Sequence, residues 1–303
     1  MAGGIGSRFW PVSKKSFPKQ FIDIMGTGES LIKQTYNRFC HMVPQENIFV
    51  VTNNDYVHLV QSHIPEMDIS RILHEPLAKN TAPCIALANR HIQHLNPNAV
   101  CLVAPSDHLI SNEMAFIETS LQAMNFAAQN EALVTLGIKP TRPDTGYGYI
   151  QFNPELDTRG LHRVKTFTEK PSEDIARSFL ESGEFLWNAG IFVWSINAIN
   201  NSIEKHLPEI HQIFADVHTD SPNYNEQLEQ AYALTPSISI DYGVLEKEKD
   251  VFVMPANFGW NDLGTWKSLW DVSERNDKNN ALIGKHIHTY NTTESMVFNN
   301  SNK

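Results

Sequence analysis

The amino-acid sequence predicts an α/β protein in which a mainly parallel, mixed β-sheet is flanked by helices. Two observations predict this class. Short apolar runs rich in β-branched residues alternate with helical patterns of about ten or more residues, which is typical of βαβ units. The chain has 303 residues, of which 41% are hydrophobic, and this is enough for one large α/β domain or for a domain with a small appendage.

The first half of the chain alternates regularly between the two kinds of segment. In chain order the predictions are strand 47–52, helix 55–63, strand 69–74, helix 82–95, strand 99–104, helix 114–129 and strand 132–137. Ligands of such sheets lie at the carboxyl ends of the strands. The glycine-rich segment 3–6 and the segment 105–108 are both placed at such ends, so we expect the ligand there.

The second half has a different texture. Apolar runs predict strands at 147–152, 164–168 and 189–195, a helix is predicted over 197–214, and the polar segment 216–236 is expected to be a mobile loop with some helix. Ser172 followed by Glu173 and Asp174 is typical of a capped helix start with an acidic first turn.

The domain organisation follows from the two ends of the chain. Residues 1–275 are expected to form the main domain, and residues 276–303 the start of a small C-terminal β unit, because the composition turns polar after Ser273 and apolar residues then alternate. Only Met1 and Ala2 precede the glycines, whereas such a loop normally follows a buried strand. We therefore expect the first strand of the sheet to be missing from this chain.

Charge and cysteine content exclude several classes. The formal net charge of −10 argues against a general nucleic-acid-binding protein, which would show a basic face. Cys40, Cys84 and Cys101 are widely spaced, form no C-x-x-C zinc site and suit a reducing compartment. The sequence shows neither an apolar run of transmembrane length nor a signal peptide. We predict a cytoplasmic protein without nucleic-acid or membrane partners.

The first twenty residues carry the most informative motif. Gly3, Gly4 and Gly6 allow close backbone approach and positive φ, and successive N–H groups in such a loop bind anions. Arg8 can form a forked contact with a phosphate, and Lys19 can supply a second charge. The pattern lacks the third glycine of G-x-G-x-x-G and the Gly-Lys-Ser/Thr of a P-loop. The alternative is a glycine turn beside a solvated basic cluster.

The remaining pattern, G-G-x-G-S-R-x-x-P followed by F-P-K, resembles the signature of the sugar-1-phosphate nucleotidylyltransferases. The form R-F-W-P with F-P-K-Q-F is similar to their mannose-1-phosphate guanylyltransferase branch. The resemblance implies a Rossmann-like, GT-A-like nucleotidyltransferase domain, with Arg8 and Lys19 in catalytic roles. It also implies that the nucleotide is bound by Ala2, Gly3, Gly4, Gly6, Ser7, Glu75, Lys79, Asn80, Thr81, Pro105 and Ser106.

Two aspartates are candidate magnesium ligands. Asp107 follows the apolar strand 99–104, and Asp262 lies in the segment W-N-D-L-G-T-W. Magnesium prefers one or two carboxylates together with substrate phosphates. In the resembling family, the positions that match Asp107 and Asp262 bind the metal together. The alternatives are a capping aspartate before the next helix and a turn aspartate before Gly264.

The segment E-P-L-A-K-N-T-A-P at 75–83 resembles the family segment that lies against the nucleotide base. Glu75 can accept hydrogen bonds from guanine N1–H and N2–H₂, and hydrogen-bonded edges discriminate between bases better than apolar pockets do. The alternative, a turn in which Thr81 caps a helix, is compatible with base recognition.

Three later segments match the family's sugar-binding segments in order and spacing. They contribute the candidate sugar-phosphate ligands Tyr147, Gly148, Glu169, Lys170, Asn188 and Gly190. Glycines permit close backbone approach to a sugar, and carboxylate and amide groups can bind hydroxyls. A further segment, S-I-D-Y-G-V, resembles the family's S-I-D-Y segment, where Asp241 is expected to position other residues or to line the pocket wall.

The resemblance implies a magnesium-dependent enzyme that converts GTP and α-D-mannose 1-phosphate to GDP-mannose and pyrophosphate, commonly as a homodimer. One alternative is uridylyl or thymidylyl transfer to another sugar 1-phosphate. The other is a nucleotide-sugar-binding regulator without catalysis. Such a regulator should lack a metal carboxylate or the loop arginine, whereas this chain has both.

Overall fold

The computed structural model describes residues 1–4, 6–156 and 160–299. The helices are α1 (Leu31–Cys40), α2 (Val57–His63), α3 (Thr81–Leu95), α4 (Glu113–Gln129), α5 (Glu173–Ser182), α6 (Ile196–His206), α7 (Pro208–Ala215), α8 (Tyr224–Leu234) and α9 (Trp266–Val272). The strands are β1 (Val50–Asn53), β2 (Ile72–Glu75), β3 (Val100–Val103), β4 (Leu109–Ile110), β5 (Leu133–Ile138), β6 (Gly148–Leu156), β7 (His162–Glu169), β8 (Phe185–Ser195), β9 (Val251–Ala256), β10 (Trp260–Asn261), β11 (Ala281–Gly284) and β12 (Met296–Asn299).

A six-stranded sheet in the order β3-β8-β5-β9-β7-β6 forms the centre of the fold. Strands β5 and β9 pair in parallel, whereas β8 runs antiparallel to β3, β5 and β6. Strands β1 and β2 form a separate parallel pair. The predicted α/β class with a mixed sheet is confirmed. The central sheet has more antiparallel pairing than the sequence pattern predicts, because a buried apolar run looks the same in either strand direction.

Helices cover both faces of this sheet. Successive residues of β8 point to opposite sides. Phe192 and Trp194 join a buried cluster with helices α3, α6, α7 and α8, and Ile191 and Val193 join a second cluster with helix α4. The sheet is therefore a buried central layer, and its strand ends are the places where polar residues can meet a ligand.

Two helical predictions change in the structure. The segment 197–214 is divided into α6 and α7, because Pro208 starts a new helix after Leu207 leaves the helical conformation. The polar segment 216–236 contains helix α8, which buries Leu228 and Tyr232 in the core. The segment is polar overall, so its narrow apolar face was not recognised as the buried side of a helix. Helix α1 is an element that the sequence patterns did not indicate.

The first two residues are inserted between strands β1 and β3. The N–H of Ala2 donates to Val51 O at 2.7 Å, and the N–H of Ser106 donates to Met1 O at 3.0 Å. The amino group of Met1 donates to Ala104 O at 2.9 Å. From Met1 a cavity of about 410 Å³ continues between the two strands. Strand β3 is consequently only half-buried over most of its length.

The C-terminal strands pack on the glycine-rich end of the chain. Strands β11 and β12 pair in parallel, and Ile283 lies in a buried cluster with Phe9 and Leu263. The rings of Trp266 and Phe298 are 6.0 Å apart. Residues 300–303 of the predicted C-terminal unit lie outside the described residues, and the boundary at residue 275 stays a prediction. In the described part of the chain, every helix is too short or too polar to cross a membrane.

Candidate active site

The glycine-rich loop is held by side chains from the segment that follows it. Gly6 has φ 63°, and a Cβ there would lie 2.5 Å from the Cβ of Lys19, so only glycine fits. The amide of Gln20 donates to Ala2 O at 2.8 Å and to Gly4 O at 2.9 Å. The Ser13 hydroxyl donates to Gly6 O. Sequence reasoning missed Gln20 and Ser13; the position of Gln20 directly after F-P-K is the one signal that pointed to it.

Lys19 connects the loop to both candidate metal ligands. Its ammonium lies 2.9 Å from Asp107 Oδ2 and donates to Asp262 O at 2.7 Å and to Leu263 O at 3.1 Å. The side chain is almost fully buried. Burial acts to raise the pKa of Asp107, but the ammonium of Lys19, the neighbouring His108 and hydrogen bonds to the carboxylate together outweigh burial, so the pKa of this carboxyl lies below its usual value. Asp107 is therefore ionised at neutral pH.

Arg8 lies beside Asp262. A Cβ on Gly264 would lie 2.5 Å from Asp262 Oδ2 and 3.1 Å from Arg8 Nη1, so this glycine makes room for both groups. Asp262 Oδ1 accepts hydrogen bonds from the Tyr147 hydroxyl and from the N–H of Gly264, both at 2.9 Å. The second bond is the turn contact that the alternative interpretation of Asp262 predicts, and the other oxygen of the same carboxylate lies near Arg8 at the position of Gly264. The predicted sugar ligand Tyr147 directs its hydroxyl to this carboxylate.

The donor set of Asp107 and Asp262 fits a divalent cation. Hard carboxylate oxygens suit magnesium, which usually completes its shell with water and substrate phosphates. Among the described residues there is no cluster of three or more His, Cys, Asp and Glu side chains that could bind a metal without such help. The capping alternative for Asp107 is wrong, because Asn112 caps helix α4. The two aspartates thus suit a cation that arrives with a nucleotide.

The predicted base segment borders the same loop. A Cβ on Gly3 would lie 3.3 Å from Glu75 Oε2, so the backbone of the loop passes close to this carboxyl. Asn80 has φ 73°, and its side chain accepts from the N–H of Thr81, where helix α3 begins. The Tyr232 hydroxyl donates to Glu75 Oε1 at 3.1 Å. Tyr232 comes from α8, and no sequence motif pointed to it.

Burial raises the pKa of Glu75 to about 7, although the hydrogen bond from Tyr232 opposes this rise. Because the native carboxyl binds a proton more tightly than the unfolded one, its contribution to stability is present at pH 4 and is lost as the pH rises to 7. The change in the free energy of unfolding that Glu75→Gln causes is expected to be more favourable at pH 8 than at pH 5, by up to about 3 kcal/mol. Urea unfolding at the two pH values measures this difference.

Glu118→Gln is the matched control, because Glu118 is exposed on helix α4. Its free energy of unfolding should follow that of the unmodified protein at both pH values. If Glu75→Gln changed the free energy of unfolding equally at pH 5 and pH 8, burial of an ionised Glu75 would carry no free-energy cost, and the prediction would be refuted.

The candidate sugar residues surround Gly148. A Cβ on Gly148 would lie 2.5 Å from Glu169 Oε2 and 3.5 Å from Asn188 Cβ. Lys170 Nζ lies 2.7 Å from Glu169 Oε1. The Asn188 amide donates to Asp241 Oδ1 at 2.8 Å. Burial raises the pKa of Asp241, and the hydrogen bond from Asn188 opposes this rise. The structure thus brings the three predicted sugar segments together and adds Asp241 to them.

Contacts join these groups into one site. Tyr147 links the aspartate pair to the sugar segments, since it precedes Gly148 and bonds Asp262. A Cβ on Gly190 would lie 3.7 Å from Pro105 Cγ, next to the strand end that carries Asp107. The N–H of Ile240 donates to Thr81 Oγ1 at 2.8 Å, which connects the sugar side to the base segment. Residues far apart in sequence therefore meet around a single region.

The family model for nucleotidyl transferases matches residues 1–279. The chain belongs to the nucleotidyl transferase family. The match includes the glycine-rich loop, both aspartates and all predicted sugar residues, so the resemblance inferred from the motifs is confirmed. Members of this family generally use a divalent metal.

Individual relatives make the similarity more specific. The chain is 36% identical over 294 residues to a mannose-1-phosphate guanylyltransferase of Salmonella montevideo, a match that covers 94% of this chain and 61% of the relative. It is 35% identical over 290 residues to the alginate biosynthesis protein AlgA of Pseudomonas putida, covering 94% and 59%. The chain thus spans about three fifths of the length of the curated relatives it matches.

A solved structure supports the same assignment. The crystal structure described as mannose-1-phosphate geranyltransferase from Thermus thermophilus superposes with a TM-score of 0.85 and 32% sequence identity. The match covers 94% of this chain and 81% of that chain. This nucleotidyl transferase therefore shares both sequence and fold with its relatives across the whole candidate site.

Proposed function

We propose that this nucleotidyl transferase is a mannose-1-phosphate guanylyltransferase, which converts GTP and α-D-mannose 1-phosphate to GDP-mannose and pyrophosphate. One observation carries the proposal. The buried ammonium of Lys19 joins the phosphate-binding loop to Asp107 and to the backbone at Asp262. This junction supports the proposal, because it joins positive charge and the two candidate metal carboxylates to one loop. The names of the relatives support guanosine and mannose as the substrate pair.

The reaction requires alignment and charge neutralisation more than covalent chemistry. An oxygen of the sugar phosphate attacks the α-phosphorus of GTP in line, the bond to the β-phosphate breaks, and pyrophosphate leaves with the electron pair. Both reactants are polyanions, so positioned cations lower the barrier most. No protein nucleophile is needed. Burial raises the pKa of the Cys84 and Cys101 thiols, which makes them poor nucleophiles.

Each part of the site has a role in this proposal. The loop N–H groups and Arg8 bind the β- and γ-phosphates that leave, and Lys19 supplies positive charge beside the attacking or α-phosphate. Asp107 and Asp262 would hold the divalent cation, which neutralises phosphate charge when bound. Glu75 and the backbone near it face the base, and Glu169, Lys170 and Asn188 face the sugar phosphate. A homodimeric state stays a prediction.

The proposal is tested by pyrophosphate release with magnesium, mannose 1-phosphate and each of GTP, UTP, dTTP and ATP, followed by product analysis. We expect GDP-mannose as the main product and loss of turnover when the metal is chelated. Glucose 1-phosphate with each triphosphate is the matched control for the sugar. A preference for UTP or dTTP would replace the proposal by another sugar nucleotide, and tight GDP-mannose binding without turnover would indicate a regulator.

A further inference from the structure

The Asn188 side-chain amide is held by donors on its oxygen side and by a carboxylate on its nitrogen side. The N–H of Gly190 donates to Asn188 Oδ1 at 3.0 Å, and the Thr135 hydroxyl donates to the same oxygen at 3.3 Å. A backbone N–H can only donate, so the atom that it meets must be the amide oxygen and not the nitrogen. Nδ2 therefore faces the other way, where it donates to Asp241 Oδ1 at 2.8 Å.

This arrangement leaves Asn188 with a single kind of free hydrogen-bonding group. A carbonyl oxygen has two lone pairs; the N–H of Gly190 uses one, and the Thr135 hydroxyl, which can also reach Ile191 O at 3.5 Å, lies against the other. An amide nitrogen has two hydrogens, and within the described parts of the chain only Asp241 accepts one of them. Because Asn188 is half-buried at the edge of the sugar segments, its second N–H is available to a ligand.

Asp241 reaches Asn188 from a segment that is anchored on the nucleotide side. Residues 238–241 are hydrogen-bonded to the base segment. The N–H of Ile238 donates to Lys79 O, and the N–H of Ile240 donates to Thr81 Oγ1. Asp241 then opens a π-helical turn, a form of helix that is often found at functional sites. Gly243 fixes this turn against Leu207, because a Cβ there would lie 2.7 Å from the leucine side chain.

We propose that Asp241 is a positioning residue for sugar recognition: its carboxylate orients the Asn188 amide so that Asn188 offers a donor, never an acceptor, to a sugar hydroxyl oxygen. The hydroxyl's own hydrogen then goes to an acceptor such as the Glu169 carboxylate, which lies beside the same glycine as Asn188. Such a donor–acceptor pair selects a hydroxyl group over a group that can only accept. This inference rests on the proposed function, since it takes the ligand to be a sugar 1-phosphate.

The test measures equilibrium binding of mannose 1-phosphate by calorimetry and steady-state kinetics in parallel. Asp241→Ala is expected to raise both Kd and KM for mannose 1-phosphate at least about tenfold, because the Asn188 amide loses its charged acceptor. KM for GTP should stay within about twofold. Asp241→Asn is expected to recover most of the loss, since its amide oxygen can accept the same bond. Lys247→Ala, on the exposed end of the same turn, should behave as the unmodified protein.

A double variant separates positioning from simple structural support. In Asn188→Asp/Asp241→Asn the carboxylate at position 188 still accepts from Gly190 and Thr135, and the amide at position 241 now donates to it. The hydrogen bond is kept with reversed polarity, but position 188 no longer offers an N–H to the ligand. We expect a melting temperature near that of the unmodified protein together with at least tenfold weaker binding of mannose 1-phosphate.

Two results would overturn the inference. One is unchanged binding of mannose 1-phosphate by Asp241→Ala or by the double variant. The other is the absence of binding of mannose 1-phosphate and glucose 1-phosphate to the unmodified protein, which would remove the sugar site itself. By contrast, intact sugar-phosphate binding without nucleotidyl transfer, with the expected loss in Asp241→Ala, would support this inference and refute only the proposed function.

Discussion

We expect that about five apolar residues added ahead of Met1 stabilise the protein strongly. Five residues are enough to run beside the four-residue strands β1 and β3. The cavity between these strands has a volume of about 410 Å³, and its lining includes apolar side chains such as Val51 and Ile85 and polar ones such as Asn89. Apolar side chains added there would remove apolar surface from water, which stabilises by about 25 cal/mol per Å² buried.

The cost of ordering the added residues, about 1.5 kcal/mol each, offsets most of that gain. Backbone hydrogen bonds to the two neighbouring strands then add about 1 kcal/mol each. The extension also converts the amino group of Met1, whose pKa is lowered by burial, into a neutral amide. We expect a net gain of several kcal/mol, and hence a rise in melting temperature of about 5–10 °C.

Thermal unfolding of three chains measures the effect: the chain as it is, the apolar extension, and an extension of equal length made of Ser and Gly. Pyrophosphate release should rise with the apolar extension only, because Met1 and Ala2 lead directly into the phosphate-binding loop. Equal melting temperatures for the two extended chains would show that the cavity does not accept a strand.

Removal of the Arg8 side chain is the second large effect that we expect. Arg8 lies beside Asp262 at the edge of the glycine-rich loop, and it is exposed rather than buried in the core. Loss of one electrostatic donor to a developing negative charge costs about 10²–10³ in kcat. Arg8→Ala should therefore reduce kcat for pyrophosphate release by about a hundredfold to a thousandfold, while the melting temperature changes little.

The control variants identify the cause of this loss. Arg8→Lys keeps the charge but loses the planar fork, so it should fall between Arg8→Ala and the unmodified protein. Lys14→Ala removes an exposed charge from the same segment and should leave kcat within about twofold, because an exposed charge is screened. An unchanged kcat in Arg8→Ala would exclude Arg8 from the proposed role with the leaving pyrophosphate.

Local chemistry explains why much of the site was predictable. Glycine at position 6 is required by a positive φ and by the approach of Lys19, and both requirements act through the short segment that the motif covers. Asp107 follows an apolar strand, so its place at a strand end could be inferred from the pattern of apolar residues. The sugar segments were placed by the resemblance, and the structure brings their residues together around Gly148.

Other features depend on distant parts of the chain. The direction of β8 in the central sheet follows from the packing of its neighbours, and an apolar run carries no record of strand direction. Tyr232 reaches Glu75 from a helix whose polar composition hid its buried face. The pairing of Asn188 with Asp241 spans 53 residues in sequence, beyond any local pattern.

The sequence by itself determined the α/β class and the family, and it nominated the candidate site residues, because these depend on local conformational preferences and on motifs of a few residues. Only the tertiary structure decided which groups pair: Lys19 with Asp107, Tyr147 with Asp262, and Asn188 with Asp241. The physical reason is that hydrogen bonds and ion pairs in the site join separate strands and helices. Which groups form these pairs depends on three-dimensional packing, and the spacing of residues along the chain does not predict it.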